Sequence, residues 1–418
     1  MHETDVVVIG AGAAGVAAAR RLLAAQIPTL VLEARSRAGG RAWTMPGEFP
    51  LDLGCGWLHS ADENEWAPIA RTLGLTVDRT PPPWGTPRRR TLGFPDRELA
   101  DFRAASESFF ARVDTVLEGP ADRPAADFLE PGSPWNPLLN AIGNYISGGE
   151  LADVSARDLA SYRDTGVNWR VAQGYGALVE AYAGPLDLRL DCPVTLIDHS
   201  GPRLRIVTPQ GEIAARAAIV AVPASVIARE ALRFHPALPD KLEAAAGLPL
   251  GLADKLFLRV DDPDDLPPET RLFGALDEPH TGSYHLRPFG RPVIECYFGG
   301  DLAWALEREG AGAFAAYAID QLAFHLGDDM RSRLRPIAAT AWGNDPFALG
   351  SYSYARPGQF PMRAALAAAI DEQLFFAGEA CSDNDYSTAH GAYRTGIRAA
   401  DAVTRLLQAE SQGQRRMS

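Results

Sequence analysis

Residues 4–15 read Thr4-Asp5-Val6-Val7-Val8-Ile9-Gly10-Ala11-Gly12-Ala13-Ala14-Gly15, and an alanine-rich run follows. The apolar run predicts a strand, the glycines a turn, and the alanine-rich run a helix. A second apolar strand, Thr29 to Leu32, ends in Glu33. Gly10 permits the tight turn out of the strand. Gly12 lacks a Cβ, so backbone can approach a pyrophosphate closely, and Gly15 lets the helix pack on the strand. The helix start offers unpaired N–H groups and its positive end to phosphates. Glu33 is placed to accept hydrogen bonds from an adenosine ribose. Strand, turn, helix and acid together predict a dinucleotide-binding unit.

The 418 residues are enough for large cores and two domains. Hydrophobic content of 46% and charged content of 22% are those of an ordinary globular chain. A net charge of −13, with no basic run interleaved with aromatics, argues against nucleic acid as a partner. Cys55, Cys192, Cys296 and Cys381 are scattered and read as reduced thiols of a cytoplasmic protein. The histidines show no metal-ligand spacing, so no metal is expected. No leader of export type precedes the first strand, and no apolar run reaches about 18 residues, so no membrane span is expected.

Pro81-Pro82-Pro83-Trp84-Gly85 followed by Arg88-Arg89-Arg90 breaks the α/β pattern and reads as a crossing between domains. Residues 100–165 read as helical, with Phe102, Phe109, Phe110 and Trp135 as core. A helix near residues 175–182 precedes strands at 187–198, 203–207 and 218–222. Residues 261–268 form an acidic, proline-rich loop. A strand at 293–298, a helix at about 310–327, a strand at 374–377 and a final helix from about His390 complete the pattern, with a polar tail at 411–418.

Four blocks resemble the flavin-containing amine oxidase family, which includes monoamine oxidases, polyamine oxidases and lysine-specific histone demethylases. They are residues 10–15 with Glu33 and Gly39-Gly40-Arg41; Asp52-Leu53-Gly54-Cys55-Gly56-Trp57-Leu58-His59; Ala253-Asp254-Lys255-Leu256-Phe257-Leu258; and Phe376-Ala377-Gly378-Glu379-Ala380 with 386–392 behind it. The similarity runs from about Thr4 to Ala402. It implies an α/β chain in which a Rossmann-like FAD-binding domain (1–78, 168–250, 340–410) is interleaved with an α+β substrate-binding domain (79–167, 251–339).

By this resemblance the FAD contacts are Gly10, Gly12, Ala14, Gly15, Glu33, Ala34, Arg35, Gly40 and Arg41 in the first block. Gly54, Cys55, Gly56 and Trp57 approach the flat ring. Val194, read as a strand residue, offers its backbone to adenine. Trp342, Gly378, Glu379, Thr388 and Ala389 complete the set, although Trp342 reads equally as core. Arg41 beside two glycines can clamp phosphate. Lys255 is the catalytic candidate: a lysine in a half-buried strand needs a reason, and family members use one to hold a water against flavin N5 and assist oxygen. A solvated or salt-bridged edge lysine is the other reading. His59 reads either as structural or as a substrate contact. Tyr352 and Tyr386 are candidates for one aromatic wall, with Thr388 where monoamine oxidases place a second aromatic.

Monoamine oxidases attach flavin through a cysteine in the stretch that here reads Gly350-Ser351-Tyr352-Ser353-Tyr354, so FAD is expected to be non-covalent. The implied reaction oxidises a primary or secondary amine, a monoamine or a polyamine, by hydride transfer to flavin N5. It yields imine, then aldehyde, and hydrogen peroxide from O2. A desaturase, or a dehydrogenase acting on a non-amine, is the alternative. An L-amino-acid oxidase would pair the substrate carboxylate with an arginine soon after Gly54, and none stands there. Asp383 and Asp385 read as capping or solvated acids rather than as an ammonium site. The oligomeric state stays open, a homodimer being one option.

Overall fold

Val6–Ile9 is an uninterrupted apolar strand with every residue buried, as a strand covered on both faces must be. In the computed structural model, which describes residues 2–84, 91–119 and 121–417, it lies at the centre of a five-stranded parallel sheet. The order is Leu374–Phe376, Ala217–Val220, Val6–Ile9, Thr29–Leu32, Leu188–Arg189. Alternate residues of a strand face opposite sides, and here each side has its own cover. Val6, Val8, Val31 and Ile219 face the helix Ala13–Ala24 and the final helix Ala389–Met417. Val7, Ile9, Leu30 and Leu32 face a second sheet, whose order is His2–Glu3, Gly211–Ala215, Leu204–Thr208, Leu196–Asp198, Arg233–His235.

A third, six-stranded sheet runs Leu334–Ala339, Ala253–Val260, Val293–Gly299, Ser283–Leu286, Thr270–Phe273, Thr91–Leu92. One face is apolar: Leu256, Leu258, Leu272, Tyr284, Leu286, Ile294, Cys296 and Phe298 form a buried core with helices Gly300–Glu309 and Ala311–Leu326. The register puts Lys255 beside Tyr297, Tyr297 beside Ser283, Glu295 beside His285, and His285 beside Arg271 on the other face. That face walls the site described below. Helices Asp96–Asp114, Asn136–Ser147 and Ala156–Ser161 pack around Phe102, Phe109 and Leu138, with Trp135 against them.

Several expectations change. The run 187–198 is two strands in two sheets, Leu188–Arg189 and Leu196–Asp198, and Val194 lies in the irregular segment between them. Lys255 is on an interior strand and buried, neither half-buried nor at an edge. The chain from Gln408 continues as helix to Met417, where a polar tail was expected. Gly85 and Arg88-Arg89-Arg90 lie outside the described residues, as do the side chains of 411–417. Among the described residues no helix is long and apolar enough to cross a membrane.

A buried ion pair staples helix Ala156–Ser161 to the late part of the chain. Arg363 Nε and Nη2 donate to Asp158 Oδ1 and Oδ2 at 2.7 and 2.9 Å, and Nη1 donates to Ser353 Oγ at 3.1 Å. Both members are nearly sealed, at 2% and 3% exposure. Arg363→Met leaves the buried Asp158 carboxylate without its cation and with the Ala355 amide as a remaining donor, so it is expected to cost about 3–5 kcal/mol in denaturant unfolding. A loss below about 1 kcal/mol would show that the pair does not hold these segments together.

Candidate active site

One cavity of about 1020 Å³ runs from the first glycine turn to the polar face of the third sheet. Every residue that the sequence singled out for cofactor, catalysis or substrate lines it, with Gly15 the exception. Gly15 sits one layer behind, where a Cβ would stand 1.8 Å from the Gly10 carbonyl oxygen. Gly10 itself has φ +98°, in the left-handed region. A shallower depression of about 710 Å³ beside Arg189, Gln210 and Glu212 holds none of the singled-out residues.

At the nucleotide end, the helix Ala13–Ala24 starts at Gly12 with no side chain capping its first amides. Those N–H groups are therefore available to an anion. Glu33 is 3% exposed and accepts from Ala11 N at 2.7 Å and Arg35 N at 2.9 Å, one amide on each oxygen. Each oxygen keeps a second lone pair for ribose hydroxyls. Arg41 Nη1 donates to Glu379 Oε1 at 2.9 Å and to Ser351 O at 2.8 Å. Among the described residues the rest of its fork has no partner, so the arginine is shared between Glu379 and the cavity rather than wholly free for phosphate. Ser353 Oγ and the Ser387 amide also donate to Glu379. Burial raises the Glu379 carboxyl, but Arg41, Ser353 and Arg363 outweigh it, so the group lies below its ordinary value and stays ionised.

In the middle, Gly54 is required by the chain's own crossing: a Cβ there would stand 1.7 Å from the Arg41 carbonyl oxygen. Burial pushes the neighbouring Cys55 thiol up to about 12, so it is no nucleophile at neutral pH. Trp342 is both buried and part of the cavity wall. It is 5% exposed, its Nε1 donates to Leu53 O at 3.1 Å, and it lines the cavity.

Lys255 is held from two sides. Its Nζ donates to Asp52 O at 2.9 Å and pairs with Glu295 Oε1 at 2.7 Å. Burial lowers its pKa, but Glu295 and Asp52 raise it further, and the net shift is upward. Glu295 shows the mirror balance: burial raises it, Lys255 lowers it more, and the net is downward. The pair is therefore ionised, and Lys255 keeps one N–H uncommitted. His59 Nδ1 donates to Asn168 Oδ1 at 2.6 Å, while Asn168 Nδ2 donates to Gly166 O at 3.2 Å and so orients the amide. Burial depresses His59 despite that bond, which leaves a neutral ring with Nε2 as an acceptor.

Tyr352 and Tyr386 both line the cavity, but differently. The Tyr352 hydroxyl donates to Tyr145 O at 2.5 Å and meets the Tyr297 hydroxyl at 2.8 Å. The ring of Tyr386 lies under the Arg363 guanidinium at 3.8 Å and its hydroxyl donates to Asp158 O, so it belongs to the buried staple. Thr388 Oγ1 donates to Asp385 O and accepts from Gly391 N, shaping the start of the last helix. Asp385, expected to be a capping or solvated acid, is 5% exposed and pairs with Arg394 at 2.6 Å, while Asp383 pairs with Arg398 at 3.0 Å. Sequence reasoning missed Tyr145, Arg271, Ser283, His285, Glu295 and Tyr297, which complete the far wall.

An uncapped helix start behind a glycine turn, a buried acid at the end of the next strand and a long cavity that reaches a buried lysine fit a flavin-dependent oxidoreductase. The chain belongs to the flavin containing amine oxidoreductase family, whose model matches residues 13–151 and 150–404. It is 30% identical to polyamine oxidase 4 of Oryza sativa subsp. japonica, over 95% of this chain and 88% of that protein. It is also 30% identical to polyamine oxidase 2 of Arabidopsis thaliana, over 96% and 88%. Among solved structures, an engineered putrescine oxidase superposes with a TM-score of 0.77 at 19% identity, over 96% of this chain and 99% of that one. Cyclohexylamine oxidase from Brevibacterium oxydans gives 0.76 at 23%, over 97% and 99%. The cofactor is FAD and the substrate is a small-molecule amine.

Proposed function

We propose that this chain oxidises a primary or secondary amine at non-covalently held FAD, with O2 as the final acceptor. The continuity of one cavity from Gly12 and Glu33 to Lys255 carries this reading. FAD, when bound, would supply the two-electron redox chemistry between the amine and O2. The Gly12–Ala14 amides would hold its pyrophosphate and Glu33 its ribose. Lys255, fixed by Asp52 and Glu295, uses its remaining N–H to hold a water at the reacting end. His59 Nε2 accepts from the substrate's N–H, and Tyr352 with Tyr297 forms the aromatic wall. The reaction consumes amine, O2 and water and releases aldehyde, ammonia or a smaller amine, and hydrogen peroxide. We assign FAD binding to 1–78, 168–250 and 340–410, which contribute the parallel sheet and the sheet behind it. Substrate binding falls to 79–167 and 251–339, with their own cores.

Peroxide release by the FAD-loaded protein over monoamines, diamines, polyamines and amino acids tests this reading. Release with one amine class supports it; no release, and no flavin bleaching without oxygen, contradicts it. The pH profile is a second expectation. Only the neutral amine has the lone pair that expels hydride. Lys255 is shifted upward and Glu295 downward, so neither changes charge near neutrality. Therefore kcat/KM should rise about tenfold per pH unit from pH 6 toward the substrate's own pKa near 10. A flat profile would contradict chemistry on the neutral amine.

A further inference from the structure

Arg271 is a cation without an acid. It sits on the cavity face of strand Thr270–Phe273, its Cα opposite that of His285. Its Nε donates to Ser283 Oγ at 3.1 Å, and its guanidinium lies 4.0 Å from the centroid of the Phe273 ring. Among the described residues no carboxylate pairs with it, and its two Nη groups have no hydrogen-bond partner. Burial lowers its pKa to about 10, so at neutral pH it still carries its charge.

The other ionisable groups on and behind this wall already have partners. Lys255 is matched by Glu295 at 2.7 Å, His285 by Glu269 at 2.8 Å, and Arg170 by Asp78 and Glu269 at 2.7 Å each. Asp114 and Asp164, which also line the cavity, are exposed. A half-buried guanidinium with no acid beside it is costly, and it would repel a second ammonium on the substrate. Its planar fork suits a carboxylate.

We propose that Arg271 binds an anionic group on the amine substrate, so that the preferred substrate is an amine carrying a carboxylate at its far end. Arg271 lies three strands across the sheet from Lys255 and two residues along it, about 16 Å between backbones at about 4.8 Å per strand and about 3.4 Å per residue. An α-amino acid carries its carboxylate on the nitrogen-bearing carbon itself, so it cannot put one group at each end of that separation. An ω-amino carboxylate, with methylenes between its two groups, holds them apart. The inference rests on the amine-oxidising reading above and names its substrate class.

The test uses three primary amines that differ at the far end: ε-aminocaproate, hexylamine and cadaverine. The FAD-loaded protein is expected to show kcat/KM for ε-aminocaproate at least about 50-fold above that for cadaverine, with hexylamine between them. Arg271→Gln should bring the ratio of ε-aminocaproate to hexylamine to about one, Arg271→Lys should restore part of it, and Arg271→Glu should favour cadaverine. Binding of non-reacting caproate, followed by the flavin's visible spectrum, should weaken at least about tenfold in Arg271→Gln. Cadaverine equal to or better than ε-aminocaproate would overturn the proposal. So would a ratio that Arg271→Gln leaves unchanged. If no amine reduces the flavin but caproate binds through Arg271, the amine-oxidising reading fails while the anion site stands.

Discussion

Lys255→Met slows reoxidation of the reduced enzyme by O2 by about 100-fold or more, the scale of losing one positioned charge and its water from a site with little other solvent. Lys255 is 7% exposed and its ammonium is pinned by the Asp52 carbonyl and Glu295, with one donor left for a water. Methionine fills similar space and donates nothing. The substitution also strands Glu295, whose partner it removes, at a cost of about 3–5 kcal/mol in stability. Lys255→Met with Glu295→Gln separates the two effects: stability should return and fast reoxidation should not. Stopped-flow mixing of amine-reduced enzyme with O2 reads this directly. If the single variant reoxidises at the parent rate, Lys255 has no part in the oxygen step.

Gly15→Ala abolishes FAD binding. One methyl would stand 1.8 Å from the Gly10 carbonyl oxygen and 3.2 Å from Val8 Cγ1, so the helix must leave the strand. The amides of Gly12 to Ala14 then lose the geometry that the pyrophosphate needs. We expect a colourless protein with FAD affinity down at least about 100-fold, the order of losing two phosphate-amide hydrogen bonds. Gly12→Ala is the informative companion. Its Cβ would lie 3.9 Å from the Gly39 carbonyl oxygen, an ordinary contact, so the protein alone tolerates it. Any FAD loss in that variant measures contact with the cofactor. A yellow Gly15→Ala protein of normal affinity would mean that this turn does not seat the pyrophosphate.

The first turn was legible because its chemistry is local: strand, glycines, helix start and Glu33 all fall within thirty residues. Lys255 was legible as a cation inside an apolar strand. Arg271, Ser283, His285, Glu295 and Tyr297 were not, because only the pairing of distant strands aligns them. Each strand does carry the alternation, with Glu295 and Tyr297 polar between Ile294, Cys296 and Phe298. What local sequence lacks is the register that puts His285 beside both Glu295 and Arg271. Val194 was misplaced for a related reason. The run 187–198 alternates like one long strand, yet its halves pair with different sheets. Gly54 was legible as a position needing glycine, but the neighbour that excludes a Cβ is the Arg41 backbone. Arg41 was legible as an inward cation, but its tie to Glu379, 338 positions away, was not.

The central claim is that this cavity removes hydride from an amine. It is tested most directly by mixing the FAD-loaded protein with amine in the absence of oxygen and following the flavin's visible band. The account requires full bleaching, at a rate that rises with pH and slows severalfold when the α-hydrogens are deuterium. A flavin that stays oxidised before every neutral, cationic and carboxylate-bearing amine would contradict it.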